Sequence, residues 1–380
     1  MNRQHRNRCI CLLAWLFSLL AWPVCGQELN SELGEAVLMI PRAGFTEPSL
    51  EVTLYRPPGE GPFPILLINH GKAPGNAHFQ ARYRPEVAAR EFVSRGFAVV
   101  VPMRQGFSKS GGSNPGTGCD VHNNGLQQAR SVRRTLDWLA QQPWADLSRN
   151  VMLGQSHGGL TTLAYGTAPH PGTRLLVNFA GGLRQEGCYG WERGLIEAIG
   201  NYGASARLPS IWFYGDNDSF FPPFVWQGAF ERYTKAGGQA ELVAFGSFGT
   251  DSHKLFGSRA GLKIWLPKVI AAMAAAGLPT EVLHEMPTPA DLPSPPASDF
   301  AELDALDKLP MAGEAVRNAY SAWLAAEAPK AFAILPGKRG WGSAWGGDRP
   351  IARALANCER RVKETCKLYA VDDKVVWRID

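Results

Sequence analysis

The sequence feature that most constrains the fold is the pentapeptide Gly-Gln-Ser-His-Gly at residues 154–158. The apolar residues 151–153 before it indicate a short buried strand, and Leu160, Leu163 and Ala164 after it recur at helical spacing. A Gly-x-Ser-x-Gly segment between a strand and a helix is a sharp turn, because its glycines carry no side chain that would clash. The hydroxyl of Ser156 would then stand above the sheet edge, beside the unpaired N–H groups of a helix N-terminus. The segment predicts a nucleophilic serine, and the alternative is a glycine turn without chemistry.

Apolar runs alternate with helical patterns over residues 27–276, which we expect to form one large domain. Uniformly apolar runs predict buried parallel strands at residues 65–69, 97–101, 151–153, 175–179, 211–214 and 241–245. Two earlier runs, residues 37–40 and 50–55, predict an antiparallel edge. Helices are predicted near residues 87–93, 126–139, 160–164, 227–233 and 262–275. Repeated strand and helix units predict an α/β fold, a mainly parallel sheet covered by helices on both faces.

Residues 1–26 have the composition of a secretory signal peptide. Arg3, Arg6 and Arg8 precede an apolar run at residues 10–24, and small residues precede Gln27. An uncleaved membrane anchor is a weaker alternative, because the apolar run is short for a span of about 20 residues. Lipid attachment at Cys25 is also weaker, because residues 22–24 before it do not resemble a lipoprotein cleavage site. We therefore expect an exported protein, periplasmic or secreted, with no stable membrane insertion after signal cleavage. Removing the three arginines lowers the formal charge from +5 to about +2, which does not indicate nucleic acid as a partner.

The composition changes after residue 276. Residues 277–299 are rich in proline and predict an extended linker. Residues 300–380 predict a small α+β domain, with helices at residues 314–328 and 351–362, a strand at 331–335, and a hairpin of 368–371 with 375–377. Residues 340–347 contain two tryptophans among glycines and predict a loop over this small core, or alternatively an aromatic platform for a glycan.

Four cysteines remain after residue 26, namely Cys119, Cys188, Cys358 and Cys366. An even number in an exported chain predicts two disulfides, for which three pairings are possible. We favour Cys119 with Cys188 and Cys358 with Cys366, because each pair then lies within one domain. The second pair requires the helix at residues 351–362 to end between its cysteines. No Cys-x-x-Cys spacing or histidine pair indicates a metal, and no phosphate-binding loop indicates a nucleotide, so we expect no cofactor.

An activated serine needs a base and an acid that orients the base. Two predicted strands that follow Ser156 end in polar loops, at residues 215–222 and 249–254. These loops supply Asp218 and His253 in the order acid, then histidine. Asp216 remains an alternative acid because it lies two residues away in the same turn, and Asp251 is a weaker alternative.

These motifs, together with His70 and Gly71 after the strand at residues 65–69, resemble the serine α/β-hydrolase superfamily. The similarity covers roughly residues 35–277 and is greatest to dienelactone hydrolase-like and prolyl oligopeptidase-like members. It implies an α/β-hydrolase fold with Ser156 as the nucleophile, His253 as the base and then the acid, and Asp218 as the orienting carboxylate. The C-terminal domain resembles small modules of other exported bacterial proteins, through residues 331–334 and 366–371.

The same resemblance implies an oxyanion hole formed by the backbone N–H of His157 and that of Gly71 or Lys72. Arg104, Phe107, Phe220 and Phe221 lie in segments that would border the substrate, where packing is an equally good explanation for the aromatic residues. Trp191 and Trp226 lie near those segments.

Dienelactone hydrolase has a cysteine where this chain has Ser156, which favours ester, thioester or amide cleavage over lactone opening. We expect a small-molecule ester or amide substrate. A carboxylic ester hydrolase is favoured. The alternatives are a peptidase of the prolyl oligopeptidase-like type and a non-catalytic cell-envelope binding protein on a hydrolase scaffold.

Overall fold

The computed structural model describes residues 29–44, 46–185, 187–311, 313–326 and 328–379. The predicted signal peptide lies outside the described residues. Within them, no helix combines the length and the apolar character that a membrane crossing requires.

An eight-stranded sheet organises the first part of the chain. Its strands are β1 (Ala36–Ile40), β2 (Leu50–Tyr55), β3 (Phe63–Asn69), β4 (Ala98–Pro102), β5 (Ala145–Gln155), β6 (Thr173–Phe179), β7 (Ser210–Tyr214) and β8 (Ala240–Ala244). Their order is β1-β2-β4-β3-β5-β6-β7-β8, with β1, β2 and β4 paired antiparallel and every pair from β4 to β8 parallel. This is the α/β-hydrolase fold, so the predicted fold class and the predicted antiparallel edge are confirmed.

Helices cover both faces of this sheet and divide its core into two layers. They are α1 (Glu86–Val93), α2 (Val121–Leu139), α3 (His157–Tyr165), α4 (Trp191–Gly203), α5 (Pro223–Lys235) and α6 (Arg259–Ala275). Helices α2 to α5 pack on one face and α1 and α6 on the other. Alternate residues of one strand therefore enter different layers: Met152 packs beneath α2 and α3, whereas Val151 and Leu153 face α6. The sequence analysis missed α4.

A second, antiparallel sheet lies in the C-terminal part of the chain, in the order β10-β9-β11-β12. Its strands are β9 (Lys330–Leu335), β10 (Gly340–Trp345), β11 (Lys367–Val371) and β12 (Lys374–Val375), and its helices are α7 (Glu314–Leu324) and α8 (Pro350–Val362). The expected loop at residues 340–347 was wrong, because most of it forms β10. Trp341 stacks on Phe332 of β9 with ring centroids 5.9 Å apart. Residues 277–299 contain no helix or strand.

Both disulfides are present in the favoured pairing. The Cα atoms of Cys119 and Cys188 lie 5.6 Å apart, and those of Cys358 and Cys366 lie 6.2 Å apart. Helix α8 ends at Val362, between the second pair of cysteines, as that pairing requires. The first disulfide joins the start of α2 to the loop before α4, on the helical face that carries α3.

Candidate active site

Ser156 lies at the turn between β5 and α3, where the backbone is strained. Its φ of 58° and ψ of −125° are unfavourable for a residue with a side chain. The flanking glycines make the turn possible, because a Cβ on Gly154 would lie 2.1 Å from the carbonyl oxygen of Gly158, and a Cβ on Gly158 would lie 2.0 Å from that of Asn69. The side chain of Ser156 is only half-buried. This is the geometry of a nucleophile elbow.

The structure brings His253 and Asp218 into direct contact. His253 lies in a short 3-10 helix, Ser252–Lys254, after β8, and Asp218 lies in the loop after β7. The His253 Nδ1 atom is 2.9 Å from Asp218 Oδ2 and 3.1 Å from Oδ1. Because a carboxylate only accepts hydrogen bonds, Nδ1 carries the proton, and Nε2 of the neutral ring is left as the acceptor. That is the tautomer that a general base for a serine requires.

The carboxylate of Asp218 is itself held by the backbone. It accepts hydrogen bonds from the N–H groups of Phe220, at 2.8 Å, and of Phe221, at 3.0 Å. Its side chain is fully shielded from solvent. Asp216, the alternative acid of the sequence analysis, is exposed and uses its backbone N–H to contact Gly246. The structure therefore places Asp218, and not Asp216, against the histidine ring.

Asp251 does not contact the ring of His253 either, but its carboxylate links the acid loop to the histidine loop. Oδ1 accepts the N–H of Ser219, at 3.1 Å, and that of His253, at 3.0 Å, while Oδ2 accepts the hydroxyl of Ser219 at 2.9 Å. Asn217 adds a second link, since its side chain donates to the carbonyl of Gly249 and accepts from a neighbouring N–H. The sequence analysis did not assign these linking roles, although the polar residues of two neighbouring strand-end loops were a signal for them.

The predicted oxyanion residues lie on either side of the elbow. The N–H of His157 opens α3 and has no partner within the helix. On the other side, a Cβ on Gly71 would lie 3.4 Å from the Cβ of Ser156, which places the loop containing Gly71 and Lys72 directly beside the serine. The amide of Gln80 donates to the Gly71 carbonyl and thereby fixes that loop. Both segments are thus positioned at the nucleophile.

Arg104 does not border the substrate space as the sequence analysis expected. It is completely buried behind the oxyanion loops, where its guanidinium donates to the carbonyl of His70 at 2.7 Å and lies 3.2 Å from Nδ1 of His157. It also donates to the amide oxygen of Gln128 on α2, at 2.8 Å. Phe107 is likewise fully buried, with its ring edge-on to His70 at 4.6 Å. These two expectations are corrected, because neither side chain has surface left for a substrate.

His70 and His157 are neutral parts of this buried layer. Burial lowers the pKa of each well below its usual value, and the positive charge of Arg104 lowers both further. The Nε2 atom of His157 contacts the side-chain oxygen of Asn124 at 2.7 Å, so its ring is fully engaged away from the serine. Neither ring is free to act as the base.

Phe220 and Phe221 flank the ring of His253, with centroid distances of 4.6 and 5.6 Å. Phe220 is 37 % exposed and can contact a bound molecule, whereas Phe221 is buried against Trp191. Trp226 is also buried, stacked on Tyr214. Of the four residues expected to border the substrate, Phe220 is the one with substantial exposed surface. Among the residues that the structure describes, no cluster of three or more His, Cys, Asp or Glu side chains could hold a metal ion.

Comparison with known proteins finds a family model that matches part of the chain. Residues 48–212, less than half of the chain, match the family model for X-Pro dipeptidyl-peptidase (S15 family). The match includes Ser156 and ends before Asp218 and His253. No curated protein matches the sequence significantly.

Several solved structures are similar at low identity. A protein described as a dienelactone hydrolase from Klebsiella pneumoniae is 17% identical, with a TM-score of 0.48 over 63% of this chain and 98% of that one. An esterase from Pyrococcus furiosus is 14% identical, with a TM-score of 0.49 over 66% of this chain and 94% of that one. An acylaminoacyl peptidase from Pyrococcus horikoshii is 15% identical, with a TM-score of 0.49 over 66% of this chain and 43% of that one.

Proposed function

We propose that this chain is an exported member of the serine α/β-hydrolase superfamily that cleaves an ester, thioester or amide bond through an acyl-enzyme on Ser156. The observation that carries the proposal is the contact of 2.9 Å between His253 Nδ1 and Asp218 Oδ2, on loops adjacent to a strained serine turn. A buried carboxylate that orients a histidine in this tautomer is the arrangement that activates a serine hydroxyl.

The proposed reaction assigns one role to each group. His253 Nε2 removes the proton of Ser156 as its oxygen attacks the carbonyl carbon, and then returns that proton to the leaving alcohol or amine. Asp218 stabilises the imidazolium that forms in between. The N–H groups of His157 and of Gly71 or Lys72 donate to the tetrahedral oxyanion. Water, deprotonated by His253, then attacks the acyl carbon. The bond to the Ser156 oxygen breaks, His253 returns the proton to that oxygen, and the acid is released.

The experiment that tests this proposal is labelling with a fluorophosphonate probe, which reacts with activated serines. We expect one adduct, located by mass spectrometry at Ser156, in the mature protein. The variant Ser156→Ala should not be labelled, and the matched control Ser205→Ala, at an exposed serine, should be labelled like the wild type. Absence of labelling in folded protein, or equal labelling of Ser156→Ala, would support a non-catalytic binding protein instead.

We propose a carboxylic ester as the first substrate class. Dienelactone hydrolase has a cysteine where this chain has Ser156, and this difference disfavours a lactone substrate. The S15 family match favours a second candidate, a peptidase that removes dipeptides. Comparing kcat/KM for p-nitrophenyl acetate with that for a dipeptidyl p-nitroanilide containing proline separates the two. A preference for the ester supports an esterase, and activity on the anilide that Ser156→Ala abolishes supports the peptidase.

We also propose that the chain is exported and that residues 1–26 are removed. Two disulfides support this, because disulfides persist in oxidising compartments outside the cytoplasm. Mass spectrometry of the protein isolated from its native compartment should find Gln27 at the N-terminus and no free thiol. We assign residues 27–276 to the catalytic domain, 277–299 to a linker and 300–380 to an accessory domain. Limited proteolysis that cuts first within residues 277–299 would support these boundaries.

A further inference from the structure

A cavity of about 840 Å³ lies between the catalytic domain and the C-terminal domain. One wall is a face of α8, and the opposite wall is formed by residues 82–88 together with Phe256 and Gly257. We call this space the interdomain cavity. Its volume is in the range of known ligand sites, about 300–1,000 Å³. Neither Ser156 nor His253 lines this cavity, so it is distinct from the candidate active site.

The walls of the interdomain cavity are predominantly basic. The lining side chains include the cations Arg82, Arg84, Arg349, Arg353, Arg360 and Lys363 and the carboxylates Glu86, Asp348 and Glu359. Two of the carboxylates are already neutralised. Asp348 pairs with Arg90 and Arg259, and Glu86 pairs with Arg84. Arg82 and Arg84 are likewise paired, with the buried Glu35. The side chains that remain are four cations on and beside α8 against Glu359, so the cavity has a net positive charge that favours an anionic ligand.

The side chains of two of these cations, Arg349 and Lys363, have no hydrogen-bond or ion-pair partner among the described residues, and both residues are exposed. Both also have left-handed backbone conformations, with φ of 48° and 60°. Lys363 is the C-cap of α8, where this conformation is common, whereas Arg349 adopts it directly before the helix begins. The two residues lie at opposite ends of α8. Fourteen residues separate them, which corresponds to about 21 Å along a helix.

This separation indicates an extended ligand rather than a single small anion, because one carboxylate or phosphate cannot reach both ends of α8. Arg360 lies between them near the Lys363 end, where its guanidinium contacts only the uncharged Ala356 carbonyl and Asn357 amide oxygen. The basic groups therefore recur along the cavity.

An aromatic surface lies at the same site. Trp345, which lines the cavity, is 43% exposed, whereas the other nine tryptophans of the described residues are buried or partly buried. Tryptophan combines a flat apolar face with a polar edge, which suits the face of a sugar ring. The carbonyl oxygen of Trp345 accepts a hydrogen bond from Arg353. This hydrogen bond holds the backbone of Trp345 next to α8.

We propose that the interdomain cavity binds an extended acidic oligosaccharide, a chain of sugar rings that carry carboxylates. Arg349, Arg360 and Lys363 would bind the carboxylates, and Trp345 would stack on a ring. Phe256 and Gly257 in the opposite wall follow His253 by three and four residues, so such a ligand would contact the segment that leads from the proposed base into α6. The accessory domain would thus supply half of a glycan site beside the catalytic domain.

The test is isothermal titration calorimetry of the full mature chain with an oligogalacturonate. We expect saturable binding that weakens with added salt. The double variant Arg349→Gln, Lys363→Gln should bind about tenfold more weakly, since each exposed ion pair contributes modestly. Arg339→Gln removes one positive charge from an exposed site of the same domain outside the cavity and should bind like the wild type. Thermal unfolding of each variant checks that it is folded.

A second arm separates sugar recognition from charge alone. Trp345→Ala should weaken binding of the oligogalacturonate and leave that of linear polyphosphate unchanged. The proposal is overturned if the oligogalacturonate shows no saturable binding, or if the double variant binds it as the wild type does. It is also overturned if polyphosphate binds equally well and Trp345→Ala affects neither ligand. Binding does not need the nucleophile, so Ser156→Ala should retain it, and failure of the proposed catalysis would leave this result unchanged.

Discussion

Replacing Asp251 by alanine tests how the acid and base loops of the proposed triad are held together. In the structure its carboxylate accepts three hydrogen bonds, from the N–H and the hydroxyl of Ser219 and from the N–H of His253. Ser219 directly follows Asp218, so these bonds fix the spacing of the two triad loops. The change Asp251→Ala removes all three bonds while leaving the contact between Asp218 and His253 chemically possible.

The magnitude follows from the number and exposure of these bonds. A hydrogen bond contributes a net 0.5–1.5 kcal/mol, and partial exposure of the two Ser219 bonds places them at the lower end, so the three together contribute about 2 kcal/mol. If all of that free energy maintains the reactive geometry, its loss lowers kcat/KM by about 30-fold. Loss of the triad acid, as in Asp218→Asn, is expected to cost about 10⁴-fold, because the histidine tautomer is then wrong.

The assay is kcat/KM and its pH dependence for an ester substrate, with Asp216→Asn as the control at an exposed aspartate of the loop that contains Asp218. Asp251→Ala should lower kcat more than it raises KM and should leave the shape of the pH profile unchanged, since Asp251 does not touch the ring. Asp216→Asn should have no effect. A loss for Asp251→Ala as large as that for Asp218→Asn would make Asp251 the catalytic acid, and a loss below twofold would refute the positioning role.

Three further predictions concern stability. Asp348→Asn should lower the free energy of unfolding in urea by about 3 kcal/mol, because it leaves the buried Arg90 of α1 with only the more distant, exposed carboxylate of Glu32; a loss below about 1 kcal/mol would contradict this. The lowered pKa values of His70 and His157 mean that the unfolded chain binds more protons. The free energy of unfolding should therefore be independent of these two histidines above about pH 6.5. Below that pH it should fall by up to about 1.4 kcal/mol per pH unit for each histidine. Unfolding curves measured between pH 8 and pH 5 that show no such slope would contradict this prediction. Reduction of the Cys119–Cys188 disulfide, which spans 69 residues, should cost about 4 kcal/mol by the loop-entropy relation, measured by denaturation of a double serine variant against the wild type.

Most of the large sheet was predictable because its central strands are covered on both faces. Uniform apolar runs such as residues 65–69 and 211–214 would be unfavourable with one face in water, so they indicate strands buried in the middle of a sheet. The missed helix α4 has a physical cause. Its apolar face is interrupted by glycines that the packing requires: a Cβ on Gly203 would lie 2.3 Å from the Tyr233 carbonyl oxygen of α5. Close contact between two helices thus removed the periodic signal that predicts a helix.

The same cause explains the error at β10. Glycine and tryptophan alternate there and suggested a loop, but the glycines allow α8 to pack directly on the strand. A Cβ on Gly342 would lie 2.3 Å from the backbone nitrogen of Cys358. The intervening Trp341 faces the other side of the sheet and stacks on Phe332. A strand whose residues on one face are glycine and alanine lacks the β-branched pattern by which strands are predicted.

The candidate triad could be predicted because its residues follow strand ends in a fixed order, but the support of the oxyanion loops could not. Arg104 follows a strand end in the same way and was therefore expected at the substrate. Its location is decided instead by acceptors far apart in the chain, the His70 carbonyl, the His157 ring and the Gln128 amide, which converge beneath the elbow. No carboxylate among the described residues pairs with it, and although burial lowers its pKa, a guanidinium remains charged at neutral pH. One buried positive charge thus lies directly behind both segments that would bind an oxyanion, where it keeps both histidines neutral and favours negative charge at Ser156.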